Sequence, residues 1–270
     1  MKKNENKPFS LDIEQALVDQ YNRNRDFSEQ ITDVSEIYKR ESMIEVDVVI
    51  LSSAKNIELK NITINSVNSL LKSESNIKFN VFLLEGNLNA VYTFCNRVKI
   101  VYMDEKFGYH KFMNLGRKMG KAEYVVLCNN DLMYEVGWAT SIISEMKKDS
   151  DLLSASPFEP KSNSNTTQSY GHTTRKQLNG WCIFQKRKIY EIIGDLDESF
   201  RFWCCDDDYG MSIKNKKLKH KLVKKSIVNH LDKGSKTLQF LEKEKYFKFT
   251  NGGIRRFVEK YGHMPQHLQN

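Results

Sequence analysis

From residue 45 onward, short apolar runs alternate with longer amphipathic segments. EVDVVILSS at 45–53 is continuous and rich in valine and isoleucine. An uninterrupted run marks a strand buried on both faces, because a half-exposed strand would alternate apolar and polar residues. KFNVFLLEGN at 78–87, RVKIVYMDE at 97–105 and AEYVVLCNND at 122–131 repeat the pattern. Segment 58–72 has helical length, and KFMNLGRKMGK at 111–121 reads as a short helix closed by glycine. Strands alternating with helices predict an α/β fold with a mainly parallel, Rossmann-like central sheet flanked by helices. Such sheets bind ligands at the carboxyl ends of their strands. Ser52-Ser53, Glu85-Gly86-Asn87 and Asn129-Asn130-Asp131 all fall there.

Beyond Asp131 the pattern predicts a helix near 136–148, then a polar, loop-rich stretch at 156–179 that is a candidate mobile lid. GWCIFQKRKIYEIIGDLDESF reads as strand, helix and turn. Three consecutive aspartates, Asp206, Asp207 and Asp208, open a basic helix, and the strand HKLVKKSIVNH ends at His230. Two C-terminal helices divided at Gly252-Gly253 are expected. Upstream, residues 1–9 read as disordered and 10–42 as two short helices. The predicted organisation is an N-terminal helical extension (1–44), a main domain (45–262) and a tail (263–270).

Composition adds limits. Apolar content of 40% and charged content of 28% suit a soluble globular protein. No apolar run approaches the roughly 18–20 residues needed to span a bilayer. The N-terminus carries two lysines but no apolar core of a secretory signal. The five cysteines form no CxxC pair, so reduced thiols and a cytoplasmic location are expected. The adjacent Cys204 and Cys205 read as packing residues. The net charge of +8 is uneven: 1–44 carries −2, 45–150 carries +1 and 151–270 carries +9. A basic C-terminal half attracts phosphates of nucleotides, nucleic acid or anionic lipid, or is simply a solvated lysine surface. Seven lysines fall in 211–225, without a helix-turn-helix, zinc-finger or RNA-binding signature.

Three clusters carry chemistry. Asn129-Asn130-Asp131 suits a hard divalent ion that also holds phosphate oxygens, or a capped turn. Asp206–Asp208 suits a general base with a pKa raised by its neighbours, or a favoured first helical turn. Since consecutive helical residues face different ways, one or two of the three point into a site. His230 at a strand end can ligate metal or touch phosphate, or be an ordinary surface histidine.

Taken in order, these segments resemble a family 2 glycosyltransferase of the GT-A fold over about 45–262. VDVVILSSAKN resembles the first strand and nucleotide-contacting turn. In VFLLEGN, Glu85 stands where the family has Asp. FGYHKFMNLGRKMGKAEYVVLCNNDLMYEVGW resembles the segment leading to the Asp-x-Asp motif, here Asn-x-Asp, so that only Asp131 keeps its carboxylate. NGWCIFQKRKIYEIIGDLDESF resembles the acceptor-side strand and turn. CDDDYG resembles the motif that supplies the base. VNHLDKGSKT and FVEKYG resemble the closing elements. The base motif aligns in two ways, giving Asp206 or Asp207, with Asp206 preferred because Asp208-Tyr209 then matches the following position. The arginine that follows in the family is replaced at best by Lys214.

The resemblance implies an inverting single displacement from a UDP-sugar, or another nucleotide sugar, to an acceptor hydroxyl. Asp131, with His230 as second ligand, would hold Mn²⁺ or Mg²⁺ on the diphosphate. One of Asp206–Asp208 would be the base. Ser52, Ser53, Glu85, Asn114, Asn129 and Asn130 would line the nucleotide-sugar side, and Gly180, Trp181 and Trp203 the acceptor side. A glycan is the expected acceptor. A hydroxymethylated base in DNA is the alternative that the basic C-terminal half suggests. A nucleotidyltransferase is a further alternative, against which the chain lacks a glycine-rich, Arg-containing phosphate loop near residue 53. A non-catalytic nucleic-acid-binding protein would explain the lysines but not the ordered carboxylates.

Overall fold

The structure, a computed structural model, describes residues 43–231 and 243–269, and for 243–249 the backbone alone. The disordered start, the two helices expected within 10–42 and the segment 232–242 lie outside the described residues.

The four expected strands form as β1 (Ile44–Ser52), β2 (Ile77–Glu85), β3 (Val98–Tyr102) and β4 (Tyr124–Asn129). They pair in parallel, β3-β2-β1-β4. The sheet continues through β7 (Cys182–Lys186), β6 (Leu152–Phe158), β8 (Lys219–His230) and β5 (Leu132–Tyr134). β7 is antiparallel to both its neighbours, β6 and β8 are parallel, and β5 is antiparallel to β8. The parallel expectation holds for the first half, and the second half is mixed. β5 and β6 were not expected from the sequence. β5 is three residues long, and β6 carries a proline one residue before its end, with an irregular register at Pro157–Phe158.

Continuous apolar runs are explained by helices on both faces. Val46, Val48 and Ile50 of β1 pack with Leu59, Val67 and Leu70 of α1 (Ile57–Lys72) and with Trp138, Ile142 and Met146 of α3 (Trp138–Lys148). Val49 faces the opposite way, with Phe82, Leu84, Val125 and Leu127. That side is covered by α2 (Tyr109–Met119), the short α4 (Ile189–Ile193) and α5 (Cys205–Asn215). Each such side chain contributes about 1.5–3 kcal/mol when fully buried. At the amino end of β1, buried Asp47 accepts hydrogen bonds from Ala122 N (2.8 Å), Asn80 Nδ2 (3.1 Å) and Arg187 Nη2 (2.5 Å). It ties the loop after α2 to the start of α4, away from the ligand-binding ends.

Two expectations about the C-terminal half change. Gly252-Gly253 does not divide two helices: α6 (Lys243–Tyr261) runs through it. Gly253 is needed for close approach, since a Cβ there would lie 2.8 Å from the Trp203 carbonyl carbon. The 156–179 segment is fastened rather than free. Asn179 Nδ2 donates to Pro157 O and Asn163 Oδ1 (both 2.8 Å), and Leu222 N and Gly171 N bond across to Ser169 O and His220 O. All five cysteines are free thiols; Cys204 and Cys205 are buried against Phe200 and Phe257. No helix among the described residues is long and apolar enough to cross a membrane.

Candidate active site

The carboxyl ends of β1, β2 and β4 and the two ends of β8 and α5 build the site. At β4, the chain leaves the sheet at Asn129 and re-enters at β5, so Asp131 sits in a two-residue corner. β5 then pairs with the end of β8, Leu132 opposite His230. Asp131 Oδ1 is 3.2 Å from His230 Nε2, and both side chains are part-exposed. The His230 ring stacks on Trp181, with centroids 5.5 Å apart and planes 18° apart. Trp181 is fixed in turn because its carbonyl accepts from Asn129 N at 2.9 Å.

Gly180, next in the chain, touches the catalytic-helix candidate. A Cβ on Gly180 would stand 2.6 Å from Asp206 Oδ2. Contacts therefore run unbroken from Asp131 through His230, Trp181 and Gly180 to Asp206. The structure brings together the acidic corner and the first aspartate of α5, which lie 75 residues apart in sequence.

The three aspartates have different surroundings. Asp206 is part-exposed, and its Oδ1 accepts the Asp207 amide (3.1 Å). Burial of its carboxyl, then the charge of Asp207, push its pKa up to about 6. Asp207 is buried and turned toward the chain terminus, its Oδ1 2.8 Å from His267 Nδ1. Asp208 is fully buried and accepts from Lys260 Nζ (2.7 Å) and Tyr261 Oη (2.8 Å) of α6. Asp208 is thus a brace holding α6 on α5, and neither it nor Asp207 shares the cleft with Asp206. The helical turn of about 100° per residue separates them. Just before α5, Cys204 occupies the left-handed region at φ 62°, a strained conformation for a residue with a side chain. His110 of α2 steadies the same corner, with Nε2 3.1 Å from Cys205 O and Nδ1 2.9 Å from Asp197 O.

On the expected nucleotide side, several residues turn inward. Glu85 is fully buried. Its Oε1 accepts from Ala54 N (3.0 Å) and Asn87 N (2.7 Å), and its Oε2 from Tyr92 Oη (2.6 Å). A carboxylate so engaged shapes the loops after β1 and β2 instead of presenting itself to a ligand. Ser52 Oγ bonds to Thr63 (3.1 Å) and Tyr92 (3.3 Å), and Asn130 Nδ2 donates to Thr63 Oγ1 (2.7 Å). Ser53 and Asn129 stay part-exposed. Asn114 is buried beneath the 195–198 turn: Nδ2 donates to Leu196 O (2.9 Å) and Glu198 Oε1 (3.1 Å), and Oδ1 accepts Leu196 N (3.0 Å). That leaves its amide no free group for a sugar or pyrophosphate. Trp203 packs beside Phe200 and Phe257 with a buried indole N–H. Lys214 is exposed at the far end of α5.

Sequence reasoning missed His110, Lys260, Tyr261 and His267. Lys260 and Tyr261 lie in the closing segment FVEKYG, whose spacing says nothing of its packing on α5. His267 follows the matched region and had no signal. Among the described residues no group of three or more His, Cys, Asp or Glu side chains gathers as a metal cage. Asp131 and His230 are two adjacent side chains that could hold Mg²⁺ or Mn²⁺, ions that take remaining ligands from phosphates and water.

Residues 85–208 match glycosyl transferase family 2. No curated protein sequence matches the chain. Among the solved structures that share the fold are the following two. One is GalNAc-T7 with UDP, GalNAc and Mn²⁺, at 13% identity and TM-score 0.54, covering 77% of this chain and 48% of that one. The other is the mannosyltransferase PcManGT from Pyrobaculum calidifontis with GDP-Man and Mn²⁺, at 10% identity and TM-score 0.57, covering 82% of this chain and 65% of that one. The chain spans about half to two thirds of the length of these neighbours. The matched segment contains the acidic corner, the Gly180-Trp181 pair and the three aspartates that open α5; over it the chain is similar to the family 2 glycosyltransferases, and the sheet around it has the GT-A fold of these neighbours.

Proposed function

We propose that the protein transfers a sugar from a UDP-sugar to a hydroxyl of a glycan acceptor in one inverting displacement. The carrying observation is the contact path Asp131–His230–Trp181–Gly180–Asp206, which sets a two-donor phosphate-side pair and an available carboxylate at one end of the sheet. Asp206 is the general base. It takes the acceptor proton as the acceptor oxygen bonds to the anomeric carbon and the bond from that carbon to the diphosphate oxygen breaks. A base with a pKa near 6 is ionised at neutral pH yet still basic enough to accept a proton. Asp131 and His230 would hold Mn²⁺ or Mg²⁺. A divalent ion there offsets charge developing on the departing diphosphate. The presence of Mn²⁺ with UDP in one fold neighbour and with GDP-Man in the other supports this assignment.

Trp181 orients His230 by stacking on its ring, with Gly180 keeping Asp206 close. Ser53 and Asn129 are the part-exposed residues assigned to the nucleotide sugar. Glu85, Ser52, Asn130 and Asn114 set the loops around it. UDP release with Mn²⁺ from a panel of UDP-sugars tests the reading, run with glycans and separately with DNA carrying 5-hydroxymethylcytosine. Release stimulated by a glycan supports it. Stimulation by DNA alone replaces the acceptor, and no UDP release with any donor and acceptor removes the reading.

A further inference from the structure

Helix α6 ends at Tyr261, and Gly262 reverses the chain at φ 74°, in the left-handed region that favours glycine past a helix end. Its N–H donates to Val258 O at 2.8 Å and closes the last turn. Pro265 then opens the 3₁₀ turn Gln266–Leu268, and Gln266 Oε1 fastens that turn by accepting from Thr173 Oγ1 at 3.0 Å. This return path lays His267 on α5, where its Nδ1 stands 2.8 Å from Asp207 Oδ1. The two side chains are 7% and 6% exposed. A buried ionic pair adds little net stability over well-packed apolar residues, so packing alone does not account for it.

The pair adjoins the base. Asp207 N donates to Asp206 Oδ1 at 3.1 Å, which holds the two carboxyls on one turn of α5. Like charges this close oppose each other's ionisation. Lys260 and Tyr261 take up the Asp208 carboxylate. His267 takes up one oxygen of Asp207, whose other oxygen has no partner among the described residues. Burial, then the Asp207 charge, push the Asp206 carboxyl up to about 6, and the nearby His267 opposes that rise.

The other ionisable groups at this corner stay out of the titration. Burial holds the Tyr109 hydroxyl and the Cys204 and Cys205 thiols, which feel the Asp206 charge, well above their ordinary values. Burial pushes the imidazole of His110, beside Asp208, down. Beyond Asp207, His172, His263 and Lys214 line the groove on the outer face of α5. There His172 Nε2 is tied to Leu218 O (2.7 Å) and His263 Nδ1 to Met264 O (2.8 Å).

We propose that His267 is a positioning residue for the base: it draws the Asp207 carboxylate toward the C-terminal turn and offsets its charge, leaving Asp206 as the aspartate that takes the acceptor proton at neutral pH. The inference rests on the glycosyltransferase reading above, in which Asp206 is the base. It gives a task to segment 263–269, which lies outside the family-matched residues 85–208.

The test is carboxyl ¹³C NMR on the full chain labelled at aspartate, from about pH 4 to about pH 8. The Asp206 signal is identified by its loss in Asp206→Asn. UDP release with Mn²⁺, from the UDP-sugars and glycans above, is followed over the same range. The wild-type Asp206 carboxyl is expected to titrate near 6. His267→Gln keeps a hydrogen-bond donor for Asp207 but no charge, and is expected to raise that midpoint by about half to one pH unit. UDP release at about pH 6 should then fall about two- to fivefold through the smaller ionised fraction, with the donor KM within about twofold of wild type. His267→Lys keeps a cation and is expected to bring the midpoint back toward the wild-type value. In an Asp207→Asn background, His267→Gln should move nothing, because the charge it offsets is gone. A midpoint that His267→Gln leaves in place or lowers, in a chain that releases UDP, overturns the inference and leaves the function standing. So does an equal rise with and without Asp207→Asn, the mark of a purely structural disturbance. The expected titrations in a chain that releases no UDP from any donor sink the enzymatic reading instead.

Discussion

Asp131 Oδ1 and His230 Nε2 lie 3.2 Å apart, although 99 residues separate them in the chain. The pairing of the three-residue β5 with the end of β8 makes the contact, and Leu231 N donates to Asp131 O at 2.9 Å to extend it. The corner is therefore held by backbone on both sides, and side-chain changes there should alter ligand binding before they alter the fold.

His230→Ala should raise the Mn²⁺ concentration needed for half-maximal turnover by about tenfold or more, because one of two protein donors is lost. Trp181→Ala should produce a smaller effect, since it removes the ring stacked on His230 but no donor atom. Metal titration of UDP release reads both. An unchanged Mn²⁺ requirement in His230→Ala would remove the histidine from the donor set.

Asp206→Asn should reduce kcat by about 10²–10⁴-fold, the range for losing a positioned general base. In the wild type, activity should rise with pH along a limb near 6, where the carboxyl ionises. The same shift has a stability consequence of opposite sign. Because the folded pKa is raised above the unfolded value, folding is progressively penalised as pH rises from about 4 to about 6. Asp206→Asn should therefore melt higher than wild type at pH 7.5, with the gain shrinking toward pH 4. Loss of turnover without that pH-dependent gain would contradict the buried-base description.

The two adjacent glycines of α6 should respond oppositely. Gly253→Ala sets a methyl against the Trp203 backbone and should cost about 1–3 kcal/mol, the range for overpacking. Gly252 is exposed with open space around its Cα, so Gly252→Ala should gain roughly 0.5–1 kcal/mol from helix propensity. Chemical denaturation of the pair distinguishes them, and equal effects would mean that α6 does not lie on Trp203.

Lys260→Met leaves the Asp208 carboxylate buried with Tyr261 as its remaining side-chain donor. Breaking a buried pair costs about 3–5 kcal/mol, and the retained Tyr261 bond favours the lower end. In a domain of this size that lowers Tm by on the order of 6–12 °C. Adding Asp208→Asn should restore part of the loss. If Lys260→Met melts with the wild type, the α5–α6 brace is not a stabilising contact.

The sequence by itself determined the layered α/β half. Apolar runs such as VVIL at 48–51 and VFLL at 81–84 cannot be satisfied except by burial on both faces, so the parallel strands and their polar carboxyl ends were legible at 52–53, 85–87 and 129–131. It also determined that Asp206–Asp208 open a helix. Only the tertiary structure gave the three aspartates different surroundings, because helical rotation gives adjacent residues different neighbours: Gly180 for Asp206, His267 for Asp207, Lys260 and Tyr261 for Asp208. It likewise turned Glu85 and Asn114 from ligand contacts into loop anchors, since their hydrogen-bond partners lie on other segments. β5 was too short to show a periodicity, and glycines at 252–253 read locally as a break. What overruled both signals was long-range: a strand gains its ladder from β8, and a glycine in a helix is retained where another backbone passes too close for a Cβ.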